Sequence, residues 1–240
     1  MHTVSADSDD SPSLATIDTT DITKLQPSQL TRETLQTYIQ ALIKKYNTLS
    51  QKIIEDETNN NVEQIHANTA QVQELEELLN ELNELKQQQV SEFQRLIEEE
   101  QFEEIIQNLD KFIFVSHNQI AQQLIDTGQG RAVARNLDKF QGLECNNELA
   151  QKLIEAGGSF GVARNLDIFQ GLDHNQIAQL IIDKGRGGAV ARFLDKFQGL
   201  DHNQIAQQII DKGRGWEVAR NLDKFQGLSE ETMERLKPYL

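Results

Sequence analysis

The side chains best suited to binding chemistry are cations and aromatic groups that recur at a fixed spacing in the second half of the chain. One recurring position holds Arg135, Arg164, Arg192 and Arg220. A second holds Arg131, Phe160, Gly188 and Trp216, and a third holds Gln129, Arg186 and Arg214. Guanidinium groups bind carboxylates and phosphates, and aromatic rings stack on bases or anchor protein interfaces. These residues form the predicted macromolecule-binding site.

Aspartates recur with the same spacing as the arginines, and they offer a simpler interpretation in which the arginines pair within the protein. An aspartate follows each arginine by three residues, so the two can pair across one helical turn: Asp138, Asp167, Asp195 and Asp223. Lysines stand four residues after the arginines at Lys139, Lys196 and Lys224, with Ile168 breaking the series. Residues 115–227 carry 13 basic and 13 acidic side chains. The sequence therefore leaves open whether the arginines bind a partner or form a solvated face, and whether the variable positions are a recognition code or drift.

Other reactive side chains do not form a catalytic or metal-binding pattern. His117, His174 and His202 occupy equivalent places beside the start of a helix, too far apart to share one zinc ion, and are interpreted as cap or surface residues. Cys145 is the only cysteine, which excludes an intramolecular disulfide, and no adjacent base activates it. We expect no enzyme activity, no cofactor and no metal.

A Leu-Asp pair shows the repeat that positions these side chains. It recurs at Leu109-Asp110, Leu137-Asp138, Leu166-Asp167, Leu194-Asp195 and Leu222-Asp223, which gives units of 28 or 29 residues. Four full units span 115–142, 143–171, 172–199 and 200–227. Each has two short helical groups of apolar residues, a capping pattern such as Asp201 with Gln204, and a glycine loop between the helices. Short helices need neighbours to be stable, so the repeat predicts an all-α, right-handed solenoid of αα-hairpins.

The segments on either side of the repeats are predicted to close the solenoid. Residues 87–114 match a degenerate capping repeat, in which Glu98-Glu99-Glu100-Gln101 replaces the glycine loop and favours one longer helix. Residues 228–240 begin a further first helix with no partner, and they predict a C-terminal capping helix. These two segments would cover the apolar core at its ends.

The first third of the chain has a different character. Residues 1–27 are acidic and polar without periodicity, and they are predicted to be disordered. Residues 28–86 carry apolar stripes at helical spacing, which predict an acidic amphipathic helical pair or a short coiled coil. The coiled-coil alternative implies self-association through residues 31–100.

Charge and hydropathy limit the cellular locations that the sequence predicts for the protein. The net charge is -15, and residues 1–108 hold 21 acidic and 7 basic side chains. No apolar run approaches the roughly 20 residues of a membrane span, and the first residues lack the pattern of a signal peptide. We expect no membrane insertion, and a cytoplasmic location or export to a host cell without a cleaved signal peptide.

The unit pattern resembles a known family of helical repeats. Leu-Asp-x-Asn-Gln-Ile-Ala, then Gly-Arg-Gly and a second helix opening with Val-Ala, is similar to the repeats of transcription activator-like effectors over residues 115–227. In that family each inter-helix loop faces one base of duplex DNA. The resemblance implies base-facing residues at Asp126-Thr127, Glu155-Ala156, Asp183-Lys184 and Asp211-Lys212. It also implies that Gln129, Arg131, Arg186 and Arg214 lie near phosphates.

Two functions follow from the sequence. The first is a non-enzymatic helical-repeat recognition module that binds a protein partner through its inter-helix loops and second-helix arginines. It takes precedence because the neutral repeats and acidic neighbour oppose the electrostatic attraction that dominates nucleic-acid affinity. The alternative is a sequence-preferring protein that binds double-stranded DNA, resembles transcription activator-like effectors and acts as a bacterial effector.

Overall fold

The computed structural model describes residues 26–240, and every regular element in that range is helical. The α-helices are α1 (Arg32–Thr58), α2 (Val62–Glu98), α3 (Phe102–Gln107), α4 (His117–Asp126), α5 (Gly130–Arg135), α6 (Asn147–Glu155), α7 (Ser159–Arg164), α8 (His174–Asp183), α9 (Gly187–Arg192), α10 (His202–Asp211), α11 (Gly215–Arg220) and α12 (Glu230–Leu236). The helices pack against one another, so the prediction of an all-α fold is confirmed for the described residues. The predicted disordered tail 1–27 lies outside the described residues except for Gln26 and Pro27.

Contacts between α-carbons divide the chain into two compact units. The first holds the described residues through Arg95 together with Asp110–Val115. The second holds Leu96–Leu109 and Ser116–Leu240, which include the four repeats.

In the first unit, α1 and α2 share one apolar core. Tyr38 and Leu42 of α1 and Leu75 of α2 are fully buried in it. Arg32, at the start of α1, donates to the carbonyl oxygens of Val115 and Phe112 at 2.6 and 2.7 Å. The two amphipathic helices thus cover each other within one chain, and self-association through residues 31–100 stays a prediction.

In the second unit, each repeat folds as a helical hairpin that packs on the next one. The first helix contacts the second within each hairpin, and the second helices contact one another in the order α5, α7, α9, α11. The same position of each second helix holds a fully buried valine: Val133, Val162, Val190 and Val218. Consecutive hairpins therefore bury a shared row of side chains, which supplies the stability that short helices lack on their own.

Polar side chains fix the start of each first helix. The N-terminal caps accept a backbone N–H from the first turn, and they are Ser116, Asn146, Asp173 and Asp201. Two histidines make a further hydrogen bond at this end of the helix. Nδ1 of His174 accepts the backbone N–H of Gln198 at 2.9 Å, and Nδ1 of His202 accepts that of Gln226 at 3.1 Å. These histidines connect the first helix to the end of the same repeat.

The second helices are shorter than the first helices. Each of α5, α7, α9 and α11 has six residues and ends at an arginine. The chain then passes one residue and enters a 3-10 turn, as at Leu194–Lys196 and Leu222–Lys224. The α-helix therefore ends between the recurring arginine and the recurring lysine.

Residues 87–114, predicted to be a capping repeat, also differ from their prediction in one respect. One continuous helix was favoured where glycines are missing, but α2 ends at Glu98 and α3 begins at Phe102. Glu100 adopts a left-handed conformation with φ of 55°, and the N–H of Gln101 donates to the carbonyl oxygen of Leu96 at 2.8 Å. This closed turn ends the helix without glycine, so the prediction of one longer helix was wrong.

At the other end, α12 packs against α10 and α11. Leu236 is fully buried, and the N–H of Ser229 donates to the side-chain oxygen of Asn203 at 2.9 Å. The ring of Tyr239 lies against Gly215, where any added Cβ would be 2.4 Å from a ring carbon. The C-terminal segment thus covers the last hairpin.

Candidate functional site

A groove of about 710 Å³ runs along the second helices of the four hairpins. Six arginines line it: Arg131, Arg135, Arg186, Arg192, Arg214 and Arg220. Phe160, Trp216 and Gly188 also line it, together with Ser159 and Glu217. The stacking of hairpins brings to one surface side chains that are separated by up to 90 residues in sequence.

Most residues of the predicted binding site meet in this groove. Nine of the eleven line it, and the other two, Gln129 and Arg164, do not. Gln129 is half-buried, whereas Arg164 is exposed. Arg164 is therefore an arginine at the same repeat position as Arg192 and Arg220 but outside the groove.

In the described part of the chain, no ion pair joins a recurring aspartate to the arginine that precedes it. Asp167 pairs with Lys196 at 2.7 Å, and Asp195 pairs with Lys224 at 2.6 Å. Each pair joins one repeat to the next, with 29 residues between the partners. The alternative in which Asp and Arg pair across one helical turn is wrong, because the helix ends at the arginine and the following aspartate lies in a 3-10 turn.

The lysines make a second contact with the preceding repeat. Nζ of Lys196 donates to the carbonyl oxygen of Arg164 at 2.6 Å, and Nζ of Lys224 donates to that of Arg192. Hydrogen bonds from the same lysines lower the pKa of Asp167 and of Asp195 below the usual range of a carboxyl group. Lysines and aspartates are thus used to hold neighbouring repeats together.

This pairing leaves the groove with an excess of positive charge. Within residues 26–240, the only ion pair of a groove arginine joins Nη1 of Arg214 to Oε1 of Glu217 at 3.2 Å. Residues 115–227 are neutral as a whole, yet Glu217 is the only one of their carboxylates that lines the groove. A neutral composition therefore folds into a locally cationic surface.

Aromatic side chains give the groove a second kind of contact. Phe160 is 45% exposed and meets Phe193 edge to face, with ring centroids 5.0 Å apart. The guanidinium carbon of Arg192 lies 5.3 Å from the centre of the Phe160 ring, within the range of a cation–π interaction. Trp216, on α11, is 47% exposed. Exposed aromatic rings beside arginines are typical of interface anchors.

Sequence reasoning missed Glu217, which lies beside Gly188. Its side chain is only 8% exposed, and Oε2 has no hydrogen-bond partner among the described residues. The equivalent positions hold Ala132, Gly161 and Ala189. A carboxylate where the other repeats have a small residue was the signal that could have identified it.

Four carboxylates were expected to face DNA bases, each of them the last residue of a first helix, and three of them have a partner within the protein. Asp183 pairs with Lys212 of the next repeat at 3.1 Å, and Asp211 pairs with Arg235 at 2.5 Å. Asp126 accepts a hydrogen bond from Gln122 at 2.7 Å. The pairs of Asp183 and Asp211 connect successive elements of the stack, whereas the hydrogen bond of Asp126 lies within α4.

The remaining reactive groups lie outside the groove. Cys145 is half-buried, and burial raises the pKa of its thiol, which disfavours the nucleophilic thiolate. No cluster of histidine, cysteine and carboxylate side chains suited to a metal ion occurs in the described part of the chain. Nor does any helix between residues 26 and 240 have the length and apolar character to cross a membrane.

Comparison with known proteins adds no assignment. No family model, no curated protein and no solved structure matches the chain.

Proposed function

We propose that the chain is a non-enzymatic recognition module that binds an acidic polypeptide segment in the groove of its second helices. The observation that carries this proposal is the arrangement of six arginines around one groove with a single carboxylate among them. Arginine forms strong, charge-assisted hydrogen bonds with carboxylates. A segment rich in glutamate or aspartate would supply the complementary charge.

The aromatic side chains support a peptide ligand. Phe160 and Trp216 each expose nearly half of their surface in the groove. Tryptophan and arginine are the residues most enriched among those that dominate protein-binding energy. A peptide that combines carboxylates with apolar side chains would use both parts of the groove.

DNA binding remains the second proposal, and the arginine row is the observation that favours it. Against it, Asp183 and Asp211, expected to face bases, are already paired with Lys212 and Arg235. The chain also carries a net charge of -15, which opposes the approach of a long polyanion. A short acidic peptide carries less charge and meets less of this repulsion.

Several finer features belong to the same proposal. The stacked hairpins would form a right-handed solenoid of 28–29-residue repeats, capped by residues 87–114 and 228–240. The acidic helices of residues 28–86 would serve as a docking or self-association element. A cytoplasmic location, or delivery into a host cell as a bacterial effector, stays a prediction of the sequence.

The proposal is tested by fluorescence anisotropy with the full chain and a fluorescein-labelled oligoglutamate peptide that contains one aromatic residue. We expect Arg192→Ala combined with Arg220→Ala to weaken binding roughly a hundredfold, because each arginine loses a charge-assisted hydrogen bond. A short random-sequence DNA duplex is titrated in parallel at two salt concentrations.

Arg164→Ala is the matched control, because it removes the same side chain at the same repeat position outside the groove. We expect it to leave peptide affinity unchanged. An equal loss in this control would show that the groove is not the binding surface. Tighter, salt-sensitive binding of the duplex would replace the peptide proposal with the DNA proposal.

A further inference from the structure

Two residues that depart from the repeat pattern meet between the second and third hairpins. Phe193 directly follows α9, at a position where the other three repeats hold Asn136, Asn165 and Asn221. Its ring lies against that of Phe160 on α7, with centroids 5.0 Å apart and an angle of 73° between the ring planes. An aromatic contact therefore joins α7 to the end of α9, at a position where the other repeats have no ring.

The asparagines at this position have a local role that Phe193 does not fulfil. The side-chain amide of each donates to the carbonyl oxygen four residues earlier, at 3.0 Å for Asn136, 3.1 Å for Asn165 and 2.8 Å for Asn221. Phenylalanine has no polar side-chain atom, so α9 ends without this hydrogen bond. The third repeat thus has an aromatic ring where the others have a side-chain contact to their own helix.

The two rings contact one arginine of the groove. The guanidinium carbon of Arg192 lies 5.3 Å from the centre of the Phe160 ring and 5.8 Å from that of the Phe193 ring. Both distances are within the roughly 6 Å range of a cation–π interaction. Within residues 26–240, Arg192 is the only arginine with such contacts, and Arg220 at the same position of the next repeat has none.

These contacts reduce the cost of using Arg192 to bind a ligand. An arginine side chain has many rotamers, and a ligand that binds it must restrict them. A guanidinium already held against two rings loses less of this freedom on binding. Arg192 has no carboxylate partner in the described part of the chain, so its charge is available to a ligand.

We propose that Phe160 and Phe193 are positioning residues that hold Arg192 in the groove and make it the arginine on which ligand binding depends most. This inference rests on the proposed function, because it assigns a carboxylate of the acidic peptide to one arginine of the same groove. Phe160 lines the groove, whereas Phe193 does not. Phe193 therefore acts through Arg192 and not through a ligand contact of its own.

The first measurement compares the two arginines one at a time. It uses the full chain and the fluorescein-labelled oligoglutamate peptide that contains one aromatic residue. We expect Arg192→Ala to weaken binding roughly twentyfold and Arg220→Ala roughly fivefold, because only Arg192 is held in place before the peptide binds. Equal losses in the two variants would overturn the inference.

Phe193→Asn is the variant that tests the positioning itself, because it restores the residue of the other repeats. Its amide would donate to the carbonyl oxygen of Ala189, four residues earlier, as the other asparagines do in their helices. The chain should therefore stay folded, which thermal unfolding checks. We expect this variant to bind the peptide roughly threefold less tightly than the original chain.

A double-mutant cycle separates positioning from a merely structural role. Added to Arg192→Ala, the Phe193→Asn substitution should have no further effect on peptide affinity. Added to Arg220→Ala, it should again weaken binding roughly threefold. A loss that is the same with and without Arg192 would show that Phe193 acts on the fold, and it would overturn the inference.

Two further variants test the ring of Phe193. Phe193→Tyr keeps an aromatic face for the guanidinium and should retain the affinity of the original chain. Phe193→Leu keeps an apolar side chain without a ring and should bind as weakly as Phe193→Asn. Full affinity in the leucine variant would overturn the role assigned to the ring.

The outcomes separate the positioning residues from the proposed function. Peptide binding that is lost in the Arg192 and Arg220 double variant, but without coupling between Phe193 and Arg192, would overturn the positioning and leave the acidic-peptide groove in place. Absence of binding by the original chain would overturn both.

Discussion

Lysines and arginines recur with the same period in the repeats, but they lie in different surroundings. Lys196 and Lys224 contact an aspartate and a backbone carbonyl of the preceding repeat. Arg192 and Arg220, only four residues before them, line the open groove and have no carboxylate partner in the described part of the chain. One set of cations holds the stack together, and the other is available to a ligand.

The difference arises from the end of each second helix. In an uninterrupted α-helix, residues four apart share a face. Here the helix ends at the arginine, and the lysine lies in the following 3-10 turn. The interruption therefore places two cations of one short segment in different surroundings, and this difference can be tested by stability and binding measurements.

The largest effect on stability is expected for the lysines. Lys196→Met combined with Lys224→Met keeps the alkyl chains but removes two ion pairs and two hydrogen bonds between repeats. We expect the free energy of unfolding to fall by about 2 kcal/mol, or about 1 kcal/mol for each lysine. Urea denaturation measures the change, with an unchanged m-value showing that the unfolding remains comparable.

Arg192→Ala combined with Arg220→Ala is the matched control for this experiment. We expect its stability to fall by less than about 1 kcal/mol, because the cation–π contact of Arg192 with Phe160 is exposed. If the arginine variant lost as much stability as the lysine variant, the proposed division of the two cation sets would be wrong.

A smaller loss of stability is expected when the pH is lowered. The pKa values of Asp167, Asp183 and Asp195 are lowered by hydrogen bonds from lysines of the next repeat. The unfolded chain, with aspartate pKa values of about 4, therefore binds more protons than the folded chain as the pH falls. The contribution of these pairs to the free energy of unfolding is fully present above the unfolded-state pKa of about 4. It is lost as the pH falls through the lowered pKa values of the folded chain. Each exposed pair contributes about 0.2–1 kcal/mol.

The measurement is a series of urea denaturations at decreasing pH. Asp167→Asn combined with Asp195→Asn should lower stability at neutral pH and make the decrease in acid shallower. Asp138→Asn is the control, because Asp138 has no ion pair among residues 26–240. A steep decrease that persists in the double variant would assign acid unfolding to other groups.

The smallest effect is expected where the lysine series is interrupted. Ile168 is half-buried and occupies the position of Lys196 and Lys224, and Asp138 of the preceding repeat has no lysine partner. Ile168→Lys should supply the missing pair and raise stability by about 0.5 kcal/mol, within the range of exposed pairs. Thermal unfolding measures the gain.

Ile168→Gln controls for the loss of the apolar side chain. Adding Asp138→Asn to Ile168→Lys should remove the gain. If the gain survived this second substitution, it would not come from a pair between repeats.

Much of the fold was predictable because its signals are local and repeated. The Leu-Asp spacing located the hairpins, and capping residues such as Ser116, Asp173 and Asp201 marked the helix starts. The closed turn at Glu100 was missed because an L-residue with positive φ has no strong local signal. The end of each second helix at its arginine was missed for a similar reason, since the apolar period continues through the helix end into the 3-10 turn.

The candidate site was only partly predictable. The positions of Phe160 and Trp216 were identified because they differ between repeats whose neighbouring residues are the same. The pairing of Lys196 with Asp167 was not, because the partners are 29 residues apart. Glu217 was missed because its place beside Gly188 depends on contact between adjacent helices.

The sequence by itself determined the repeat, the helical hairpins and the arginines and aromatic residues that recur in them, because helix formation and capping depend on residues a few positions apart. The tertiary structure alone decided which charges neutralise each other. Stacking places the lysines and aspartates of successive repeats within ion-pair distance and leaves Arg192 and Arg220 facing the groove. Electrostatic attraction depends on distance in space, and a chain of balanced charge can therefore fold into a cationic surface.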